Sequence, residues 1–192
     1  MSNEKPKPIL TDDQKRVATA GFMFRGSRDF LLAYRLLGRR RADPEVRDGK
    51  APGPFQSWVV CASLALELAL KCRIVLDGKP ASWTHNYVAL FGELTPAAQQ
   101  DVASRISFTT GPSTAERLID LLKGFKNPFE TFRYLHELIT KPQPAEFHEG
   151  DMIAVTRAAY LSIIDQREDF RPYQGVIWDP ALFDETGMPR WP

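Results

Sequence analysis

The run LALELALKCRIVL, residues 64–76, sets Glu67, Lys71 and Arg73 among apolar neighbours. Glu67 and Lys71 stand four residues apart, so on a helix they share a face, with the carboxylate on the favourable N-terminal side. A wheel puts Val60, Ser63, Leu64 and Ile74 on that face too, so it meets another helix. Charges enclosed there need partners beyond each other, because breaking a buried pair costs about 3–5 kcal/mol. FETFRYLHEL, residues 129–138, offers such partners. Phe129, Phe132, Leu135 and Ile139 form its apolar side, and Arg133, His136 and Glu137 border it. Arginine can hold a phosphate and histidine can move a proton, so Arg133 and His136 are the candidate catalytic pair, with Glu67 and Lys71 orienting them. The plainer expectation is a cluster that only fixes helix register, since structural ion-pair networks are common. His85, near a helix start, reads either as a ligand contact or as a capping and packing histidine.

Other chemistries lack their patterns. His136-Glu137 and His148-Glu149 do not extend to H-E-x-x-H, so no metal site is expected. There is no nucleophile elbow, no P-loop and no dinucleotide glycine pattern, and no cofactor is expected. Between residues 25 and 50 eight Arg and Lys residues face four acidic ones. Arg35, Arg39, Arg40, Arg41 and Arg47 are therefore candidate phosphate contacts. They read equally well as a solvated helix end, where cations suit the dipole.

These groups are positioned by helices. Thr11 and Gln14 form a capping box for a helix reaching about Arg40. Its apolar face includes Ala20, Phe24, Ser27, Leu31 and Tyr34, and Gly21 and Gly26 let a neighbour approach closely. RRRADPEVRDGKAPGPF reads as a loop. Gln56–Leu76 is apolar all round, the mark of a central helix, and Asp77-Gly78-Lys79-Pro80 ends it. Short helices are expected from His85 to Leu94, after Thr95-Pro96, and from a Ser113/Glu116 capping box to about Phe125. Two more run from about Asn127 to Ile139 and from Asp151 to Gln166. The fold class is all-α, an antiparallel bundle with a four-helix core plus short helices. Residues 1–10 read as a flexible N-terminus, 11–169 as the bundle, and 170–192, with four prolines, Trp178 and Trp191, as an extended arm.

Length and composition agree with one soluble domain that buries a core. A net charge of +1 makes any basic patch a local matter. Cys61 and Cys72 would lie about 16 Å apart along one helix, too far for a mutual disulfide. They read as buried thiols of a reducing compartment. No apolar run reaches transmembrane length, and the location expected is cytoplasmic, with no membrane partner.

Three stretches in order, LELALK, THNYVALFGELTP and NPFETFRYLHE, resemble the HEPN-like superfamily of small helical bundles. Glu67 and Lys71 match its E-L-x-L-K helix, and His85, Asn86, Leu90 and Phe91 its G-H-[DN]-L-x-x-L-F segment. Arg133, Tyr134 and Glu137 match its R-Y-x-x-E helix. Thr84 stands where glycine is usual, and Tyr87-Val88 where leucine is usual. The resemblance spans roughly residues 56–138. It implies a polar cluster of Glu67, Lys71, His85, Tyr134 and Glu137, and a bundle that often forms a homodimer. It also implies a place in bacterial toxin–antitoxin or defence systems, either as a metal-independent ribonuclease or as a non-catalytic partner, often of a nucleotidyltransferase. The ribonuclease members carry arginine four to six residues before histidine, and no histidine here has that arginine. The expectation is therefore a HEPN-like protein that binds RNA or a protein partner in a stress or defence system. The alternative is a divergent endoribonuclease using Arg133 and His136.

Overall fold

The computed structural model describes residues 10–41, 43–50, 53, 55–107, 112–125 and 149–173. Within them the chain is an all-α bundle. Three long helices carry it: α1 (Asp12–Arg41), α3 (Phe55–Leu76) and α7 (Glu149–Gln166). Short helices α2 (Pro44–Arg47), α4 (Tyr87–Glu93), α5 (Pro96–Ser104) and α6 (Ala115–Gly124) fill the connections. A 3-10 helix, Glu168–Tyr173, follows α7. No described helix is long and apolar enough to cross a membrane. The helix expected over 127–139 lies outside the described residues, as does the arm beyond Tyr173.

Cross-contacts give the helix directions. Ala20 pairs with Cys72 and Ser27 with Ala65, while Tyr34 stacks on Trp58 at 5.1 Å, so α1 and α3 run antiparallel. Tyr34 bonds Glu149 and Tyr160 bonds the Phe24 carbonyl, so α7 is also antiparallel to α1. The apolar face of α1 is the heptad-spaced row Ala20, Phe24, Ser27, Leu31, Tyr34 and Gly38, all buried. At Gly26 an added Cβ would stand 3.1 Å from Leu68 Cδ1, so a bare backbone lets α1 sit close on α3. The thiol of Cys72 donates to the Ala20 carbonyl, and burial pushes its pKa up to about 12 against the opposing Arg73 charge. It is an inert core group.

The helix ends follow the capping signals closely. Thr11 and Gln14 bond reciprocally, at 2.8 and 3.2 Å. Gly78, at φ 84°, reverses the chain after α3, while Gly78 and Lys79 N–H return to Val75 and Ile74 carbonyls.

Five expectations need correcting. The proline-rich segment after α1 holds helix α2, because Asp43 caps the Glu45 N–H and Pro44 suits the first turn. His85 precedes α4 instead of opening it, since Asn86 caps Ala89 N–H. Thr114 caps α6, and Ser113 turns its hydroxyl to the Ile106 carbonyl. Cys61 is half-buried, unlike Cys72. Helical backbone continues past 170 to Tyr173, with Phe170 buried 5.3 Å from the Phe24 ring.

Phe24 touches α7 through Tyr160, at 4.6 Å, and the 3-10 turn through Phe170. Phe24→Ala should therefore destabilise the protein by about 3–5 kcal/mol in urea unfolding. Phe22→Ala, on the outer side of the same helix, should change it by no more than about 0.5 kcal/mol.

Candidate functional site

Glu67 lies mid-way along α3 with its side chain 5% exposed. Lys71, one turn on and 11% exposed, donates to Oε1 at 2.8 Å. His85 Nδ1 stands 2.8 Å from Oε2, and its ring is 42% exposed. A carboxylate can only accept, so Nδ1 carries the proton. The face that carries Glu67 is covered by the start of α4: the Tyr87 hydroxyl donates to the Ser63 carbonyl at 3.2 Å. Burial pushes the Tyr87 phenol well above its ordinary pKa, opposed by the Ser63 hydrogen bond and assisted by the Glu67 charge. It stays a neutral donor. The structure thus brings together Glu67, Lys71 and His85. Arg133, Tyr134, His136 and Glu137 lie outside the described residues.

His85 reaches Glu67 because the loop of residues 77–86 is braced. Lys79 donates to the Glu93 carbonyl and Ser82 to the Glu93 carboxylate, the latter at 2.8 Å. Asn86 N–H bonds Thr84 Oγ1 at 3.1 Å while its side chain caps α4. Trp83, between Ser82 and Thr84 in this loop, is 95% exposed. Its visible signal in the sequence was one aromatic residue inside a polar stretch, SWTHN, ahead of a capping asparagine.

A second network forms around Arg73, the third charge of the opening run. Its Nε donates to Ser162 Oγ on α7 at 3.0 Å, and Nη1 bonds Asp77. Asp77 Oδ2 accepts from both the N–H and the hydroxyl of Thr95, each at 3.3 Å, and Thr95 caps α5. Arg105 then ties Asp101 of α5, at 2.7 Å, to Asp165 of α7, at 2.8 Å. This chain of bonds fixes α5 and α7 to the C-terminal end of α3. Arg73 and Ser162 are 89 positions apart, so no local spacing announced it.

The arginine candidates divide. Arg40 pairs with Asp43 and Arg47 lies 3.6 Å from Asp48, so carboxylates of the same segment answer both. Arg39 is exposed and forms no ion pair with a described residue, whereas Arg35 is engaged elsewhere. Arg41 ends α1. These residues sit beside the start of α3, about 20 Å along its axis from Glu67.

Comparison of the chain with protein-family models, curated proteins and solved structures finds no match. Among the described residues no group of three His, Cys, Asp or Glu side chains could hold a metal ion.

Burial works to raise the Asp101 pKa, yet hydrogen bonds from Arg105 and Ser162 and the charges of Arg105 and Arg73 hold it below the ordinary 3.8. A carboxyl with a lowered folded-state pKa contributes stability above its unfolded value and loses it as pH falls through the folded one. Asp101→Asn should thus cost roughly 0.2–1 kcal/mol at pH 7, the range for part-exposed pairs. The two unfolding curves should converge as the pH drops below about 3.8.

Proposed function

We propose that the chain is a HEPN-like helical module whose activity is binding, with single-stranded RNA as its ligand. The observation that carries this is the braced loop: Trp83 is 95% exposed, and two residues on, His85 is anchored to the sealed Glu67–Lys71 pair. An exposed indole on a braced loop, among hydroxyl, imidazole and amide side chains, suits an unstacked base, which needs both a π-face and hydrogen bonds at its edge. A protein partner anchored on a tryptophan would instead favour an apolar surround that keeps water out. Arg39 and its neighbours at the end of α1 would follow the phosphate backbone away from the loop.

Glu67 itself supports binding over catalysis. Both of its oxygens are occupied and its side chain is enclosed, so it acts as a fixed anchor and not as a proton carrier. In this reading the chain serves a stress or defence system as a recognition component, and Arg133 and His136 would be the residues to test for cleavage.

The experiment is fluorescence anisotropy with a labelled 12-nucleotide single-stranded RNA, in EDTA, at two salt concentrations. Binding should weaken with salt, and Trp83→Ala should lower affinity by about 5- to 150-fold, the cost of one lost stacking contact. Arg39→Ala should weaken binding less and reduce the salt slope by about 0.7. No binding at any salt would overturn the RNA reading in favour of a protein partner, such as a nucleotidyltransferase. RNA cleavage abolished by Arg133→Ala and His136→Ala would establish the endoribonuclease alternative.

A further inference from the structure

A cleft of about 530 Å³ lies between the start of α1 and the loop that leaves α3. Asp12, Asp13, Lys15, Arg16 and Thr19 form one wall. Gly78 to Ala81 form the other, and the buried Val75 of α3 also lines it. That is the size at which clefts take small molecules. The end of α1 is not itself the feature, because Thr11 and Gln14 bond one another there.

The lining holds three cations against two carboxylates, and the carboxylates use little of what the cations can donate. Lys15 gives Asp12 one bond at 3.0 Å, and Arg16 gives Asp13 one through Nη2. Nε and Nη1 of Arg16 donate to none of the described residues. Lys79 bonds the neutral Glu93 carbonyl and forms no ion pair with a described residue. Arg16 also reaches across the cleft: a Cβ on Gly78 would stand 3.3 Å from its Nη1. Its guanidinium therefore lies against the bare turn at Gly78, which Lys79 follows in the chain. A planar fork of donors and an ammonium flanking one turn suit a phosphomonoester, which carries about −1.5 to −2 charge on three oxygens. Such a dianion outcompetes the single carboxylate oxygen that now meets Arg16, and the exposed Asp13 is at liberty to swing into water. Val75, the Pro80 ring and the Ala81 methyl supply apolar lining beside these charges. Inorganic phosphate would leave most of the cleft empty, whereas a nucleoside attached to it would cover that apolar part.

We infer that this cleft binds the phosphomonoester of a nucleotide, held by Arg16 and Lys79, with Asp13 as the group it displaces. A free mononucleotide and the phosphorylated end of an RNA strand present the same chemistry. Lys79 and Trp83 are four residues apart on one loop, at most about 14 Å, so a strand stacked on Trp83 would bring its end within reach. The inference does not depend on the RNA reading, since a mononucleotide needs only the cleft.

Isothermal titration calorimetry of the full chain with adenosine 5′-monophosphate, and with adenosine as its phosphate-free counterpart, tests it. The monophosphate should bind at least about tenfold more tightly than adenosine. Arg16→Gln should weaken the monophosphate by about 10- to 150-fold, the loss of a charge-assisted contact, at an unchanged melting temperature. Asp13→Asn should tighten it about two- to fivefold, a gain that no folding defect can imitate. Fluorescence anisotropy with 12-nucleotide RNAs ending in a 5′-phosphate, a 3′-phosphate or hydroxyls separates the two sources. A preference for a phosphorylated strand that Arg16→Gln removes makes the RNA end the ligand; monophosphate binding without that preference makes it a free nucleotide. Failure of the hydroxyl-ended strand to bind counts against the RNA reading alone. The inference is overturned if neither the monophosphate nor a phosphorylated strand binds better than its unphosphorylated counterpart. It is equally overturned if Arg16→Gln and Asp13→Asn leave that difference unchanged.

Discussion

Helix α3 is enclosed on nearly every side, and it nonetheless carries three charges. That conflict organises the rest of the structure. An ion taken from water must be paired and hydrogen-bonded, or its burial costs several kcal/mol. Glu67 is satisfied by Lys71 from its own helix and by His85 from the loop that follows, so the loop must come down onto α3. Arg73 is satisfied by Asp77 at the helix end and by Ser162 on α7, which fixes how far α7 can slide. Asp77 in turn receives Thr95 and so sets where α5 starts. Apolar packing on α3 would tolerate several registers of its neighbours; the charges select one.

The same constraint connects fold to function. His85 stands half in water with one ring nitrogen committed to a buried carboxylate. Around it Ser82, Thr84 and Asn86 are cross-bonded to α4 and to one another. An exposed tryptophan on a loose loop would lose most of its binding energy to ordering, whereas one on a braced loop has that ordering done by the fold. The clamp thus contributes to recognition without touching the ligand.

Much of this was legible in the residues. The all-round apolarity of Phe55–Leu76, the Thr11 and Thr95 caps and the Gly78 reversal are local signals, and each marks the element it announces. The Glu67–Lys71 spacing showed a shared face, and its enclosed setting showed that further partners were required. What escaped was non-local or doubly encoded. Arg73 finds Ser162 across most of the chain, and a lone serine on an apolar helix face carries no signal of that role. Asp43-Pro44 read as part of a loop because the same dipeptide that breaks one helix can cap the next. Phe22 and Phe24 are the same residue type two positions apart, and only the packing of α1 shows that one is exposed and the other buried.

Glu67 physically holds the His85 loop. A double-mutant cycle in urea unfolding, with Glu67→Gln, His85→Ala and the double variant, measures that link directly. A coupling of at least about 0.5 kcal/mol is predicted, because the bond joins a buried carboxylate directly to the ring at 2.8 Å. Single effects that simply add, within about 0.3 kcal/mol, would contradict it and leave the loop held by its own cross-bonds.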